Sequence, residues 1–362
     1  MSDATAFSPD YVAARARFRS AAHALHCSLE ALPIGQRSPE GEELTIDVAR
    51  LGSDKPEKVV IVSSGLHGVE GIFGSAVQAA LLEDHLGGWK PPSKGALILI
   101  HALNPYGFAW TRRVNEENVD LNRNFLLNGE DYSGSPEMYW KLDELLNPTR
   151  PPGRISGFLP KAIFNIARFG MPALKNAVAG GQYDYPKGLF FGGSKGTTTK
   201  NLLKEHLPRW VGEPQEVLHI DFHSGLGKPT TYKLLVDHPW GSDRVAELGA
   251  IFGAKRVEPW EPDQGVSYNI RGGLGTWCQE LFPNVKYDVL CAEFGTVHVL
   301  KVIAALHQEN RAHNWGDPEA PGYKSAKQMM IRAFAPPESS WRNAVVPKGL
   351  RIVERAMDAS FA

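Results

Sequence analysis

The feature that most narrows what this chain can fold into is the run Val59-Val60-Ile61-Val62, closed at once by Ser63-Ser64-Gly65-Leu66-His67-Gly68-Val69-Glu70-Gly71. A β-branched run stopped by Ser and Gly reads as a buried parallel strand entering a loop, and Ile72 to Leu82 continue as a helix. Apolar runs recur at Ala96-Leu97-Ile98-Leu99-Ile100, Val217-Leu218-His219-Ile220-Asp221-Phe222 and Tyr287-Asp288-Val289-Leu290-Cys291-Ala292. Strands and helices thus alternate from about residue 43 to about 312, which predicts an α/β fold with a mixed, mostly parallel central sheet and helices on both faces. In such sheets ligands bind beyond the carboxyl ends of the strands. His67 and Glu70, His223, and Glu293 all stand at that position. An imidazole and a carboxylate three residues apart can meet on one metal as a helix begins; the plainer reading is a Gly-rich turn with a helix-start Glu.

Composition removes whole classes of function. Hydrophobic residues make up 43% and charged residues 22% of 362, an ordinary globular balance with ample material for a core. Lys plus Arg is 39 against 40 Asp plus Glu, a formal net charge of -1, so nothing points to nucleic acid or an anionic membrane. The N-terminus lacks a basic start with an apolar core, and no apolar run reaches the ~20 residues a bilayer needs. The expectation is a cytoplasmic protein. Cys27, Cys278 and Cys291 form no close pair, which suits a reducing compartment, and Cys291 reads as a small core residue.

In chain order, apolar positions at Tyr11, Ala14, Phe18, Ala21, Leu25 and Leu29 predict an amphipathic helix over 10–32, ending near Pro33. The organisation expected is an N-terminal helical segment (1–39), a hydrolase-like α/β domain (40–312) with a large insertion (about 126–215), and a C-terminal extension (313–362). Within the insertion the pattern predicts helices near 136–146, 160–178 and 197–209. From Asn104 the chain changes character: Asn104-Pro105-Tyr106-Gly107 reads as a turn, and Arg112 to Phe125, rich in Asn and charge, is too polar for a core and reads as a functional loop.

His67, Glu70 and His223 supply the two imidazoles and one carboxylate that leave an open position on tetrahedral zinc, and Glu293 would serve as a general base beside them. With these residues in order, the sequence resembles the zinc carboxypeptidase family (carboxypeptidase A-like metallopeptidases), in particular its bacterial cytoplasmic branch near the murein-peptide amidases. The resemblance spans about residues 40–312. It rests on His67-Gly68-Val69-Glu70, on His223 within Asp221-Phe222-His223-Ser224-Gly225, on Asn104-Pro105-Tyr106-Gly107, and on Val119-Asp120-Leu121-Asn122-Arg123-Asn124-Phe125. Tyr106 departs from the family's Asn-Pro-Asp-Gly turn. Asp221 is similar to a feature of the related aspartoacylase and succinylglutamate desuccinylase branch.

What the resemblance implies is a Zn2+ enzyme whose metal is held by His67, Glu70 and His223, with Glu293 as the catalytic carboxylate and Arg113 as the oxyanion donor. Asn122 and Arg123 would grip the substrate's free carboxylate and Tyr268 would cap it. Arg271, in the loop that lines the side-chain pocket, would select an acidic residue, or else pair within its own loop. The substrate would be a small peptide, or an N-acyl amino acid if the deacylase branch is the nearer one. A catalytically silent zinc or peptide-binding module is the competing class. His101, His219, His238, His298 and His313 have no partner at ligand spacing and read as structural.

Overall fold

In the computed structural model, residues 3–153, 157–170, 180–236, 241–259 and 270–362 are described. The chain opens with helix α1 (Tyr11–Ala24), capped by the Asp10 carboxylate on the Ala13 N–H, and then enters strands β1 (Ser28–Arg37), β2 (Glu43–Gly52) and β3 (Lys58–Ser64). Next come α2 (Gly71–Ala80), β4 (Gly95–His101), the short α3 (Pro105–Ala109), then α4 (Glu137–Leu146), α5 (Phe158–Phe169) and α6 (Thr198–Val211). They are followed by β5 (Glu216–Gly225), β6 (Tyr232–Val236), α7 (Ser242–Phe252), β7 (Val257–Glu258), α8 (Leu274–Leu281) and β8 (Lys286–Gly295). Helices α9 (Val299–Trp315), α10 (Pro321–Phe334) and α11 (Ser339–Phe361) complete the chain.

The strands form one eight-stranded mixed sheet in the order β1-β2-β4-β3-β5-β8-β6-β7. Its centre, β4, β3, β5 and β8, is parallel, while β2 joins β4 and β6 joins β8 in antiparallel sense. Helices cover both faces. Phe73 and Val77 of α2 and Trp341, Val345 and Val353 of α11 pack with Val60, Val62 and Phe222 on one face. On the other, Leu203 and Leu207 of α6 and Trp277 of α8 pack with Val59, Ile61 and Val289. Each large apolar side chain so buried contributes about 1.5–3 kcal/mol relative to exposure. Helix α11 passes so close to α2 that a Cβ on Gly349 would come within 2.7 Å of Val77.

One element differs from the sequence reading. The helix expected to reach residue 32 ends at Ala24, and Ser28–Arg37 is an edge strand paired antiparallel with β2, Ser28 opposite Arg50 and Leu32 opposite Ile46. His26, at φ 57°, turns the chain out of the helix. Leu25 and Leu29 fit helical spacing, but pairing with a ready strand edge outweighs so weak a periodic signal. The expected helix over 160–178 is α5 as far as Phe169; residues 171–179 lie outside the described ones.

Candidate metal centre

The site forms at the carboxyl ends of β3, β5 and β8, three adjacent parallel strands. After β3, Gly65 at φ +67° turns the chain in the left-handed conformation that glycine tolerates, and a Cβ there would strike Ala102 at 2.8 Å. Gly68 lies against Gly107, where a Cβ would meet backbone at 2.1 Å. The loop is pinned by Gly68 N–H to the Arg113 carbonyl (3.1 Å) and Val69 N–H to the Arg112 carbonyl (2.8 Å). The Asn104-Pro105-Tyr106-Gly107 turn therefore has a mechanical task. Its Asn104 side chain accepts from Gly107 N–H (2.8 Å) and donates to the Arg113 carbonyl (3.2 Å), fixing the segment on which the His67 loop rests.

His67, Glu70 and His223 converge, their ligand atoms all within 4.8 Å of one another. His67 Nδ1 is 3.0 Å from Glu70 Oε1, and His223 Nδ1 is 3.2 Å from both His67 Nδ1 and Glu70 Oε2. All three are buried. Burial opposes ionisation of Glu70, yet the charges and hydrogen bonds of His67 and His223 hold its carboxyl well below the usual range. Two imidazole nitrogens and a carboxylate oxygen facing inward are the donors that Zn2+ takes, with a coordination position over. A metal on the His223 Nδ1 needs that ring's proton at Nε2, where Asp221 Oδ2 accepts it; His67 Nε2 instead stands between Asp120 Oδ1 at 3.2 Å and the Arg113 guanidinium, an obligate donor, at 2.7 Å. An outer carboxylate placed as Asp221 is fixes the tautomer and raises ligand basicity.

Glu293 lies opposite His223 in the β5–β8 register, and its Oε1 accepts the Leu226 N–H at 2.8 Å. Burial and then the neighbouring Glu70 push its carboxyl up to about 7, against the pull of His223. Cys291, expected in the core, instead has its sulfur within 4.8 Å of the ligand atoms of His223 and Glu293, because positions 291 and 293 share a strand face. Burial pushes this thiol up to about 12.

The two adjacent arginines part company. Arg112 is fully buried away from the site, donating to Glu309 (2.8 Å) and Asn118 (2.9 Å), while Lys327 also reaches Glu309 (2.7 Å). Arg113 turns to the metal ligands: Nε donates to Asp120 Oδ2 (3.0 Å), Nη1 to Glu70 Oε1 (3.2 Å), and Nη2 lies 2.7 Å from His67 Nε2. Its guanidinium sits 5.5 Å from the centre of the Phe190 ring.

The Asn122-Arg123-Asn124 run does more than one job. Asn122 Oδ1 accepts the Leu274 N–H (3.1 Å) at the start of α8. Asn124 donates to the carbonyls of Gly192 and Lys195 and accepts the Thr197 N–H, tying the insertion to the domain. Arg123 is fully buried, with Nη1 on the Asn122 carbonyl (2.6 Å); a Cβ on Gly181 would strike its Cδ at 2.7 Å and one on Gly272 its carbonyl oxygen at 2.4 Å. Beside these glycines opens a cleft of about 640 Å³, lined by Phe125, Tyr183, Arg271 and Thr276 among others. The Arg271 guanidinium donates to the carbonyls of Ser133 (2.9 Å) and Asp131 and lies 4.7 Å over the Tyr183 ring, so it braces the cleft wall. Tyr268 lies outside the described residues.

Asp120 and Ser63 are polar residues at or behind the site to which the sequence reading gave no role, and His219, read as structural, stands behind it with them. The period-two line His219, Asp221, His223 in an otherwise apolar strand was the available signal.

Among families of known sequence, the model of one described as a protein of unknown function (DUF2817) matches residues 7–348. No curated protein matches. Among solved structures, carboxypeptidase A from Helicoverpa armigera is 14% identical, covering 96% of this chain and 74% of its own, with a TM-score of 0.47. Thrombin activatable fibrinolysis inhibitor is 13% identical over 96% of this chain and 74% of its own, at a TM-score of 0.48. Murein-tripeptide amidase from Escherichia coli O157 is 17% identical, covering 81% of this chain and 94% of its own, at 0.39.

Proposed function

We propose that this chain, which belongs to the DUF2817 family, is a zinc-dependent hydrolase that cleaves an amide bond adjacent to a free carboxylate. The observation that carries the reading is the convergence of His67, Glu70 and His223 at the ends of β3 and β5, with Glu293 at the end of β8 beside them. Zinc in such a donor set polarises a carbonyl and lowers the pKa of water toward ~7. Glu293, held by the Leu226 N–H and pushed up to about 7, takes the proton of the attacking water and returns it to the leaving nitrogen. Arg113 offers its guanidinium to the oxygen on which charge develops. Arg123, with Asn122, orients the substrate's carboxylate by paired N–H donors. A cleft of about 640 Å³ opens at Gly181 and Gly272, the glycines packed on Arg123, and its volume is that of a small-molecule site. The three cysteines, all free, suit the reducing cytoplasm as the place of action.

Cleavage of an N-acyl amino acid is the second reading, supported by the resemblance of Asp221, two residues before His223, to the aspartoacylase and succinylglutamate desuccinylase branch. One screen separates the two and tests both. Zinc-loaded and chelator-stripped protein is assayed on C-terminal dipeptides, murein peptides, N-acyl amino acids and the same compounds with the carboxylate amidated. Turnover is expected only with metal and only with the carboxylate free. Undiminished turnover by stripped protein, or equal cleavage of amidated substrates, would overturn the proposal.

A further inference from the structure

Behind the metal centre a line of polar side chains runs down one face of the sheet. His219, Asp221 and His223 alternate along β5 and so share a face, and Ser63 of β3 stands opposite Asp221. Tyr287 Oη is 3.2 Å from His219 Nδ1, His219 Nε2 is 2.7 Å from Ser63 Oγ, and Ser63 Oγ is 2.6 Å from Asp221 Oδ1. The other Asp221 oxygen meets His223 Nε2. All five side chains are buried.

Donor and acceptor capacity fixes the direction of every bond in this line. An ionised carboxylate only accepts, so the single Ser63 proton goes to Asp221 Oδ1. Ser63 Oγ is then the acceptor toward His219, whose Nε2 must carry the ring proton. Burial holds His219 neutral, pushing it down to about 4, so its Nδ1 is a lone pair that accepts the Tyr287 hydroxyl. At the far end, Asp221 Oδ2 takes the Nε2 proton of His223, which turns the His223 Nδ1 lone pair toward His67 and Glu70.

We propose that Tyr287, His219 and Ser63 form a one-way hydrogen-bonded wire that locks Asp221 in the orientation in which it takes the Nε2 proton of His223, so that His223 presents Nδ1 to a metal. The wire rests on the metal-centre reading, and its members are positioning residues. A buried Ser–His–Tyr line needs such a purpose, because apolar side chains of similar volume would fill the same space without polar groups to satisfy. A carboxylate held at one oxygen only can rotate away from its histidine; the Ser63 hydrogen bond holds the other.

Two measurements test it. Nitrogen-15 NMR of the metal-free protein at neutral pH reads the His219 tautomer directly: Nε2–H is expected, and Nδ1–H would overturn the wire whatever the enzyme does. Competition with a chelating dye then reads affinity for Zn2+ and Co2+. Loss of a metal ligand's outer partner weakens binding by roughly 10- to 100-fold, and Ser63→Ala and His219→Phe are expected at the lower end, about 10-fold. His219→Gln, whose amide can still donate to Ser63, is expected to recover most of the loss. Melting of the metal-free variants shows whether they fold. Folded Ser63→Ala with wild-type affinity would overturn the proposal. Wild-type protein that binds neither metal would instead sink the metal-centre reading, while the tautomer still decides whether the wire exists.

Discussion

Asp120→Asn is an isosteric change whose consequence can be worked out atom by atom. Asp120 Oδ1 accepts the Asn122 N–H at 3.1 Å and lies 3.2 Å from His67 Nε2, whereas Oδ2 accepts from Arg113 Nε at 3.0 Å. The asparagine therefore keeps its oxygen at the Oδ1 place and puts its NH2 against Arg113, donor against donor. His67 stays oriented, and the damage falls on Arg113. Breaking a buried ion pair from one side costs ~3–5 kcal/mol. Arg113 keeps Glu70 at 3.2 Å and is 11% exposed along its side chain, so the lower end, about 3 kcal/mol, is expected here. Urea unfolding of metal-free protein reads that loss. Metal affinity, measured by dye competition, should fall by no more than about 10-fold in Asp120→Asn but by about 100-fold in Asp120→Ala, which also frees His67. Equal loss of metal in the two variants, or no change in stability, would refute the division of labour between the two oxygens. A pH series adds a sign. Burial opposes ionisation of Asp120, but Arg113, His67 and Arg123 outweigh it and hold the carboxyl well below its usual range. Its stabilisation is thus full above the unfolded value near 3.9 and lost as pH falls through the folded one, a loss that Asp120→Asn should not show.

The remaining expectations are brief. His67→Ala or His223→Ala should abolish stoichiometric zinc by elemental analysis, and full retention in either would remove that ligand. Glu293→Gln should keep the metal and lose nearly all turnover, and Arg113→Ala should lower kcat by roughly 100- to 1,000-fold, the usual loss of an oxyanion donor; a change confined to KM would make Arg113 a binding residue. His101 and His307 are pushed down to about 4 by burial, so the unfolded chain binds the extra protons between about 4 and 6.5. Stability should therefore fall as pH drops through that window, by at most ~1.4 kcal/mol per pH unit for each histidine, and His101→Gln should flatten the slope of the urea midpoint. Arg271→Ala should leave the kcat/KM ratio of matched Glu- and Gln-terminated substrates unchanged, since its guanidinium is spent on the 131 and 133 carbonyls; a ratio that collapses would show that Arg271 reads the substrate.

What the sequence made legible follows from periodicity. The runs at 59–62 and 96–100 are apolar throughout and those at 217–222 and 287–292 mostly so, so the centre of the sheet and its carboxyl ends could be placed, and with them His67, Glu70, His223 and Glu293. β1 was lost because an edge strand has a mixed face: its burial alternates irregularly, and Leu25 and Leu29 suit a helix as well as a strand. Asp120 was lost for a different reason. It lies among Asn and Arg that each have a reason to be polar, and nothing in spacing says which of the seven residues from Val119 to Phe125 reaches back across 53 positions to His67. His219 looked structural because it has no neighbour at ligand spacing; its partner, Ser63, is on another strand, 156 residues away.

The Asn122-Arg123-Asn124 run shows why one motif can be easy to find and hard to interpret. A stretch this polar, buried throughout, must satisfy every donor and acceptor inside the protein. Asn122 does so by receiving the first N–H of α8, and Asn124 by holding Gly192, Lys195 and Thr197 of the insertion. Arg123 is left between them with its stem under Gly181 and its carbonyl against Gly272 and the Tyr183 hydroxyl. The two asparagines thus fix, from opposite sides, the walls that meet over the arginine. A substitution at either should reach the substrate through Arg123's position rather than through a contact of its own, so Asn124→Ala should raise KM for a carboxylate substrate while leaving zinc affinity intact. Loss of zinc in that variant would mean that the insertion and the metal loop are one mechanical unit.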